Sequence, residues 1–193
     1  MLIANDTARV EHEWTVDEYF RLGEREVFGE RRTELIGGKI YDMSPPGPEH
    51  SDHIMWLNHV LVSEFGATHW VRVQLPLKKV PHSAPEPDFS LLPRTSWKRG
   101  EHPEHADLVI EISDSSVAFD VGKKANLYAT MGVPEYWVLN LKKHRLEIFR
   151  GPEPDADAPF GATYREKRVA EKSEEIIPVA FPDRHVSVGR LFP

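Results

Sequence analysis

Two apolar, strand-like runs of the sequence each carry an acidic residue in their interior. Asp88 lies in PEPDFSLL, residues 85–92, and Glu111 lies in ADLVIEIS, residues 106–113. A carboxylate buried among apolar side chains is costly unless a cation compensates its charge. Because strand residues alternate between the two faces of a sheet, pairing of these strands would bring Asp88 and Glu111 side by side. The sequence therefore predicts a sheet that contains an acidic site able to bind a cation.

Two neighbouring carboxylates favour a divalent cation. Mg²⁺ prefers hard oxygen ligands and leaves room for water and a phosphate. Asp88 and Glu111 would supply two ligands, and the backbone carbonyl of Ile112 could add a third. A divalent cation can activate a water and neutralise the charge that builds on a phosphoryl group. We therefore expect a Mg²⁺-dependent enzyme that hydrolyses phosphodiesters, with Mn²⁺ able to substitute.

Hydrolysis also needs a cationic side chain that orients the attacking water and stabilises the transition state. In the simplest arrangement it would stand two residues after Glu111, but that position is Ser113. A neutral hydroxyl cannot replace an ammonium, so the site either lacks a lysine or takes one from elsewhere. Lys124 is the candidate, because the helix predicted to begin near Asp120 should pack back across the sheet. Lys123 points about 100° away on that helix and is expected to be solvated.

The remaining pattern predicts an α/β sheet with helices packed on its faces. Thr15 and Glu18 form a capping box for a short first helix, and Gly37-Gly38 mark a hairpin. The last main helix could begin at Ser116 instead of Asp120. The other predicted elements are a helix over about 52–65, strands over 69–79, 163–170 and 175–180, a strand pair turning at 142–143, and loops over 93–105 and 151–162.

Length, charge and cysteine count bound the class of protein. The 193 residues suffice for one hydrophobic core, so we expect a single domain over 1–193. The sequence has no cysteine, no apolar stretch that could span a bilayer and no recognisable export signal, which predicts a cytoplasmic protein without membrane contact. A net charge of −7 disfavours a protein that coats nucleic acid through bulk electrostatics, but an empty metal site contributes part of that charge. A nuclease is therefore not excluded.

Other chemistries find less support. His50 and His53 are three residues apart, but the second half of a histidine zinc site is missing, so we expect a helix-cap or groove-lining role and no zinc. No nucleophile elbow, phosphate-binding loop or dinucleotide fingerprint occurs. Trp97, beside Lys98 and Arg99, could stack a base and hold a phosphate, or it could be an ordinary packed aromatic.

Several stretches of the sequence, in this order, resemble the Uma-type family of putative restriction endonucleases. They are ELIGGKIYDMSPPGPEH at 34–50, QLPLKKVPHSAPEPDFSLL at 74–92, ADLVIEISDSS at 106–116 and DVGKKANLYATMGVPEYWVL at 120–139. The resemblance covers roughly residues 14–150 as the nuclease core. It implies the PD-(D/E)XK fold: a restriction-endonuclease-like mixed sheet flanked by helices, with an N-terminal helix and hairpin. Residues 151–193 would form a C-terminal β extension.

The resemblance also implies roles for particular residues. Asp88 and Glu111 would ligate the metal, and the lysine would have moved from the strand to the helix, which matches Lys124. Glu34 matches the glutamate that opens ELIGGKIY and would complete the acidic cluster. Gln74 matches the family's strand glutamine and would orient water or a metal ligand. The implied partners are DNA and, because restriction enzymes often cut both strands as twofold dimers, a second copy of the chain.

A second hypothesis belongs to a different class of protein. The chain could be a catalytically silent module that keeps the nuclease fold and binds nucleic acid or protein. The acidic net charge and the displacement of the lysine from the strand, where Ser113 stands, favour this alternative.

Overall fold

The computed structural model describes residues 10–96 and 98–193. Trp97 and its suggested base-stacking role lie outside these residues. Within the described part of the chain, no helix is both long enough and apolar enough to cross a membrane.

A short helix and a hairpin come first, as predicted. Thr15 caps helix α1 (Val16–Glu24), and its capping box with Glu18 is present. The hairpin turns at Gly37 and Gly38, which both have positive φ, as a tight two-residue turn requires. Its two antiparallel strands are β1 (Thr33–Ile36) and β2 (Lys39–Asp42).

A six-stranded mixed sheet forms the centre of the molecule. Its strands are β3 (His69–Val73), β4 (Phe89–Pro93), β5 (Leu108–Ser113), β6 (Glu135–Asn140), β7 (Arg145–Pro154) and β8 (Ala162–Glu171). They lie side by side in sequence order, β5 and β6 are parallel, and the other neighbouring pairs are antiparallel. Because a parallel pair needs a crossover connection, the chain between β5 and β6 must cross a face of the sheet.

Helix α2 (Pro48–Phe65) covers one face of this sheet. It begins four residues earlier than the predicted start at Asp52, because Gly47 serves as N-cap and Pro48 occupies the first turn, where its missing N–H costs nothing. Alternate residues of β5 pack on the α2 side: Leu108, Ile110 and Ile112. Glu111 therefore points to the opposite face, as the alternation predicts.

The crossover on that opposite face is a helix in three pieces. They are α3 (Val117–Phe119), a π-helical turn (Asp120–Lys124) and α4 (Ala125–Thr130). The helix starts after Ser116, the alternative that the sequence left open, and Gly132 follows its end with a φ of +74°. Asp120 and Lys124 are both buried in the π-helical turn. Single π-helical turns inside α-helices frequently occur at functional sites.

Several predicted strand boundaries are wrong. The strand predicted over 69–79 ends at Val73, because Gln74 adopts a φ of +49°. The strand predicted over 85–92 begins only at Phe89, since Pro85 and Pro87 cannot donate to a ladder.

The boundaries after residue 150 also differ from the prediction. Strand β7 continues to Pro154, so the loop predicted over 151–162 shrinks to 155–161. The strand predicted over 175–180 is only β9 (Glu175–Ile176), which pairs with β10 (Val186–Ser187) before a final 3₁₀ turn (Val188–Leu191).

Candidate active site

Asp88 and Glu111 meet at the start of β4. Phe89 of β4 pairs with Ile110 of β5 in antiparallel register. Asp88, one residue before Phe89, therefore lies beside Glu111, one residue after Ile110. The Asp88 N–H donates to Glu111 Oε2 at 3.3 Å, and the Ile112 N–H donates to Asp88 Oδ2 at 2.8 Å. Asp88 is 7% exposed and Glu111 is 4% exposed. The two acids are thus buried together, linked by backbone hydrogen bonds.

Lys124 reaches this pair from the π-helical turn. Its Nζ lies 3.0 Å from Glu111 Oε1 and 3.2 Å from Glu34 Oε2. Tyr128, one turn further along the helix, donates its OH to Glu111 Oε1 at 2.7 Å. Glu34 comes from strand β1 and also accepts a hydrogen bond from the Glu86 N–H at 3.3 Å. The hairpin, the sheet and the crossover helix therefore all contribute charged groups to the same buried cluster.

Two side chains hold the Asp88 carboxylate from its other side. Gln74 Nε2 donates to Asp88 Oδ1 at 3.2 Å, and His50 Nε2 lies 3.1 Å from Asp88 Oδ2. Gln74 lies directly after β3 in a left-handed conformation, and its N–H donates to the Asp88 carbonyl at 3.0 Å. His50 and His53 do not share a partner, because the His53 Nδ1–H donates to the Glu49 carbonyl at 2.8 Å.

Asp120 and two serines complete the polar surroundings. Asp120 is 3% exposed and accepts a hydrogen bond from Ser116 Oγ at 2.5 Å. The hydroxyl oxygen of Ser113, the residue two positions after Glu111, lies 3.3 Å from that of Ser116. The expectation that Lys123 is solvated holds only in part. Lys123 is half-buried beside the β1–β2 hairpin, and its Nζ donates to Tyr41 OH at 2.5 Å.

Sequence reasoning missed His50 and Asp120 as members of the cluster. A signal for His50 was present, because Gly47 followed by Pro48 marks a helix start that would have placed His50 in the first turn. For Asp120 the signal was its spacing of four residues from Lys124, which puts both on one helix face.

The ionisation of the cluster reflects burial and a shortage of positive charge. Burial raises the pKa of Glu111 to about 8, with Lys124 opposing the shift and the nearby acids adding to it. Burial alone would raise the pKa of Asp88, but hydrogen bonds from His50 and the Ile112 N–H outweigh it and hold the pKa below its usual range. Burial would lower the pKa of Lys124, but the surrounding carboxylates, Glu111 first, raise it above its ordinary value. Near neutral pH, Asp88 is a carboxylate and Lys124 an ammonium.

The metal-free protein should lose stability as the pH rises from about 6 through about 8. The unfolded chain holds the Glu111 proton only below about pH 4.5, whereas the folded chain holds it up to about pH 8. The stabilising contribution is therefore complete below about pH 4.5 and lost as the pH rises through about 8. We expect a loss on the order of 2 kcal/mol, measured by urea unfolding in the presence of a chelator.

The control for this pH effect is Glu111→Gln, which removes the titrating group but keeps its shape. Its stability should fall less over the same pH range, because the contribution of the Glu111 carboxyl is gone. An equal fall in both proteins would contradict the assignment of the effect to Glu111.

The donor set of the cluster suits a hard divalent cation. Its buried carboxylates are those of Glu34, Asp88, Glu111 and Asp120. Within the described residues, no group of three or more histidine or acidic side chains is arranged to hold a metal ion. Mg²⁺ does not require such a group, because it keeps several waters and binds through one or two carboxylates. Burial and, less strongly, the neighbouring acids raise the pKa of Glu111, and a bound cation would lower it. Asp88 and Glu111 therefore fit the ion.

The mixed six-stranded sheet flanked by helices matches the fold of a nuclease-like α/β protein. The family model described as Uma2, putative restriction endonuclease, matches residues 16–189, and the chain belongs to that family. The chain is also similar to a solved structure described as a putative nuclease belonging to DUF820 from Anabaena variabilis, with a TM-score of 0.67 and 20% identity. That likeness covers 92% of this chain and 97% of the other, and it shows the fold. No curated protein matches the sequence. The predicted family and fold class are thus confirmed.

Proposed function

We propose that this protein is a Mg²⁺-dependent endonuclease of the PD-(D/E)XK type that hydrolyses phosphodiester bonds of DNA in the cytoplasm. The observation that carries the proposal is the position of Lys124 Nζ, 3.0 Å from Glu111 and 3.2 Å from Glu34. A lysine from the crossover helix therefore lies beside the acidic residues, whereas strand β5 provides only Ser113. Membership of a family of putative restriction endonucleases supports the same reaction class.

Asp88, Glu111 and the Ile112 carbonyl are the proposed metal ligands. When bound, the ion would supply Lewis-acid activation of water and relief of negative charge on the phosphoryl group. Asp88 is prepared for this role, because its pKa lies below its usual range and it is a carboxylate at neutral pH. Gln74 and His50 fix the orientation of that carboxylate through hydrogen bonds of 3.2 and 3.1 Å.

Lys124 acts as a hydrogen-bond donor in this proposal. Since the surrounding carboxylates raise its pKa, it stays an ammonium and cannot serve as a general base. Its N–H groups would orient the attacking water and stabilise negative charge in the transition state. Glu34 supports it by accepting one of its hydrogen bonds, which fixes where the ammonium points.

The decisive experiment is cleavage of supercoiled plasmid by the purified chain. We expect nicked and linear products with Mg²⁺ or Mn²⁺ and none with a chelator. An Asp88→Asn protein purified in parallel controls for contaminating nucleases, because it should be inactive under the same conditions. Absence of cleavage of both double-stranded and single-stranded DNA with either metal would refute the proposal.

One observation favours the second candidate, a catalytically silent module. Each carboxylate oxygen of Asp88 and Glu111 already accepts a hydrogen bond from the protein, as a purely structural network would require. Titration calorimetry separates the candidates, because a silent module should show no Mg²⁺ or Mn²⁺ binding that depends on Glu111.

In the nuclease proposal a homodimer would allow cleavage of both strands.

A further inference from the structure

Lys123 is held in place by two aromatic rings. Its Nζ donates to Tyr41 OH at 2.5 Å and lies 4.8 Å from the centroid of the Tyr41 ring and 6.0 Å from that of Phe119. The two ring centroids are 5.7 Å apart. All three residues are half-buried. We refer to Tyr41, Phe119 and Lys123 as the aromatic-lysine patch.

The aromatic-lysine patch borders the acidic cluster directly. Tyr41 lies opposite Glu34 in the antiparallel β1–β2 pair, so the two side chains project from the same face with Cβ atoms roughly 5 Å apart. Lys123 precedes Lys124 in the π-helical turn. The elements that position the candidate catalytic groups therefore also position the patch.

Lys123 differs from Lys124 in its ionic contacts. Among residues 10–96 and 98–193, no carboxylate lies within 4 Å of its Nζ, in contrast to Lys124. An ammonium has three N–H donors, and the hydrogen bond to Tyr41 OH uses one of them. Two donors on an ordered, half-buried cation thus stay available for an anion, in a chain whose net charge is −7.

We propose that the aromatic-lysine patch binds a backbone phosphate of the DNA strand that flanks the scissile phosphate. This inference rests on the proposed function, since it assigns the contact that holds the substrate beside Asp88 and Glu111. Consecutive phosphates of one strand are spaced about 3.4 Å along the axis of duplex DNA, and Lys123 adjoins Lys124 in the same π-helical turn, so the phosphate that Lys123 would hold is one beside the scissile phosphate. Tyr41 and Phe119 are positioning residues, because they fix the ammonium before DNA binds and reduce the entropy lost on binding.

The aromatic-lysine patch is tested by measuring DNA binding and cleavage separately. Binding of a fluorescent oligonucleotide is followed by anisotropy in the inactive Glu111→Gln protein, with and without the added Lys123→Met change. Methionine keeps the apolar stem that packs on the rings and removes the charge. We expect binding to weaken about tenfold and the slope of log affinity against log salt to fall by about 1, as loss of one phosphate contact predicts. The added change Lys143→Met, at an exposed lysine, should alter neither quantity.

In otherwise wild-type protein, Lys123→Met should raise KM for DNA and leave kcat nearly unchanged. Tyr41→Phe, which removes only the hydroxyl, should raise KM less and keeps the test informative if the methionine variant folds poorly. If the Lys123→Met protein cleaves DNA with an unchanged KM and its DNA affinity keeps the same dependence on salt, the proposed phosphate contact is wrong. The nuclease proposal is unaffected by that result. Binding that depends on Lys123 in a chain that cleaves no DNA would support the patch and refute the nuclease proposal.

Discussion

Asp88→Asn should reduce Mg²⁺-dependent DNA cleavage by about a thousandfold or more, since a catalytic metal ion contributes several kcal/mol to transition-state stabilisation. The substitution keeps the size of the side chain and an oxygen that can accept the 2.8 Å hydrogen bond from the Ile112 N–H. The fold should therefore survive while the negative charge is lost. Calorimetry should show that binding of Mg²⁺ and Mn²⁺ is lost together with cleavage.

The matched control is Asp114→Asn, which neutralises an exposed aspartate whose only ion pair is with Lys142 at 3.7 Å among the described contacts. Its cleavage rate and metal affinity should equal those of the wild type. A crystal soaked in Mn²⁺ gives an independent check, because its anomalous peak should lie between Asp88 and Glu111. A peak elsewhere, or cleavage by Asp88→Asn close to the wild-type rate, would contradict the assignment of the ligands.

The face on which Glu111 lies could be predicted because strand alternation is local. In LVIEIS the apolar residues at alternate positions must share the core, which sends Glu111 to the other side. The place of Asp88 beside it was also predictable, although β4 begins at Phe89, one residue after Asp88. Roles for Asp88, Glu111 and Lys124 stay predictions, whereas their spatial convergence is a feature of the structure.

Tertiary packing decided what the sequence could not show. Glutamine rarely adopts a positive φ, so the sequence does not predict the φ of +49° at Gln74. This conformation ends β3. The π-helical turn of Asp120–Lys124 likewise has both its polar ends buried in the cluster. The environment of Lys123 depends on how the distant hairpin packs, since Tyr41 comes from a strand 82 residues away.

Lys124→Met should separate catalysis from metal binding. We expect cleavage to fall by about a hundredfold to a thousandfold, the usual effect of removing one donor that stabilises transition-state charge. Metal affinity should persist or increase, because the substitution removes a positive charge 3.0 Å from a proposed metal ligand. This outcome differs from that of Asp88→Asn, in which both cleavage and metal binding are lost. Lys143→Met at an exposed site serves as the control for a generic loss of lysine charge.

The same substitution should lower the free energy of unfolding of the metal-free protein by about 3 kcal/mol at alkaline pH, since it leaves Glu111 and Glu34 without their shared buried partner. The loss should be smaller near pH 6, where Glu111 is protonated because its pKa is about 8. The double variant Lys124→Met with Glu111→Gln should recover part of the stability, because it also removes one of the stranded charges. Wild-type cleavage by Lys124→Met would show that the reaction does not use this ammonium, and additive stability losses in the double variant would show that the two side chains do not interact.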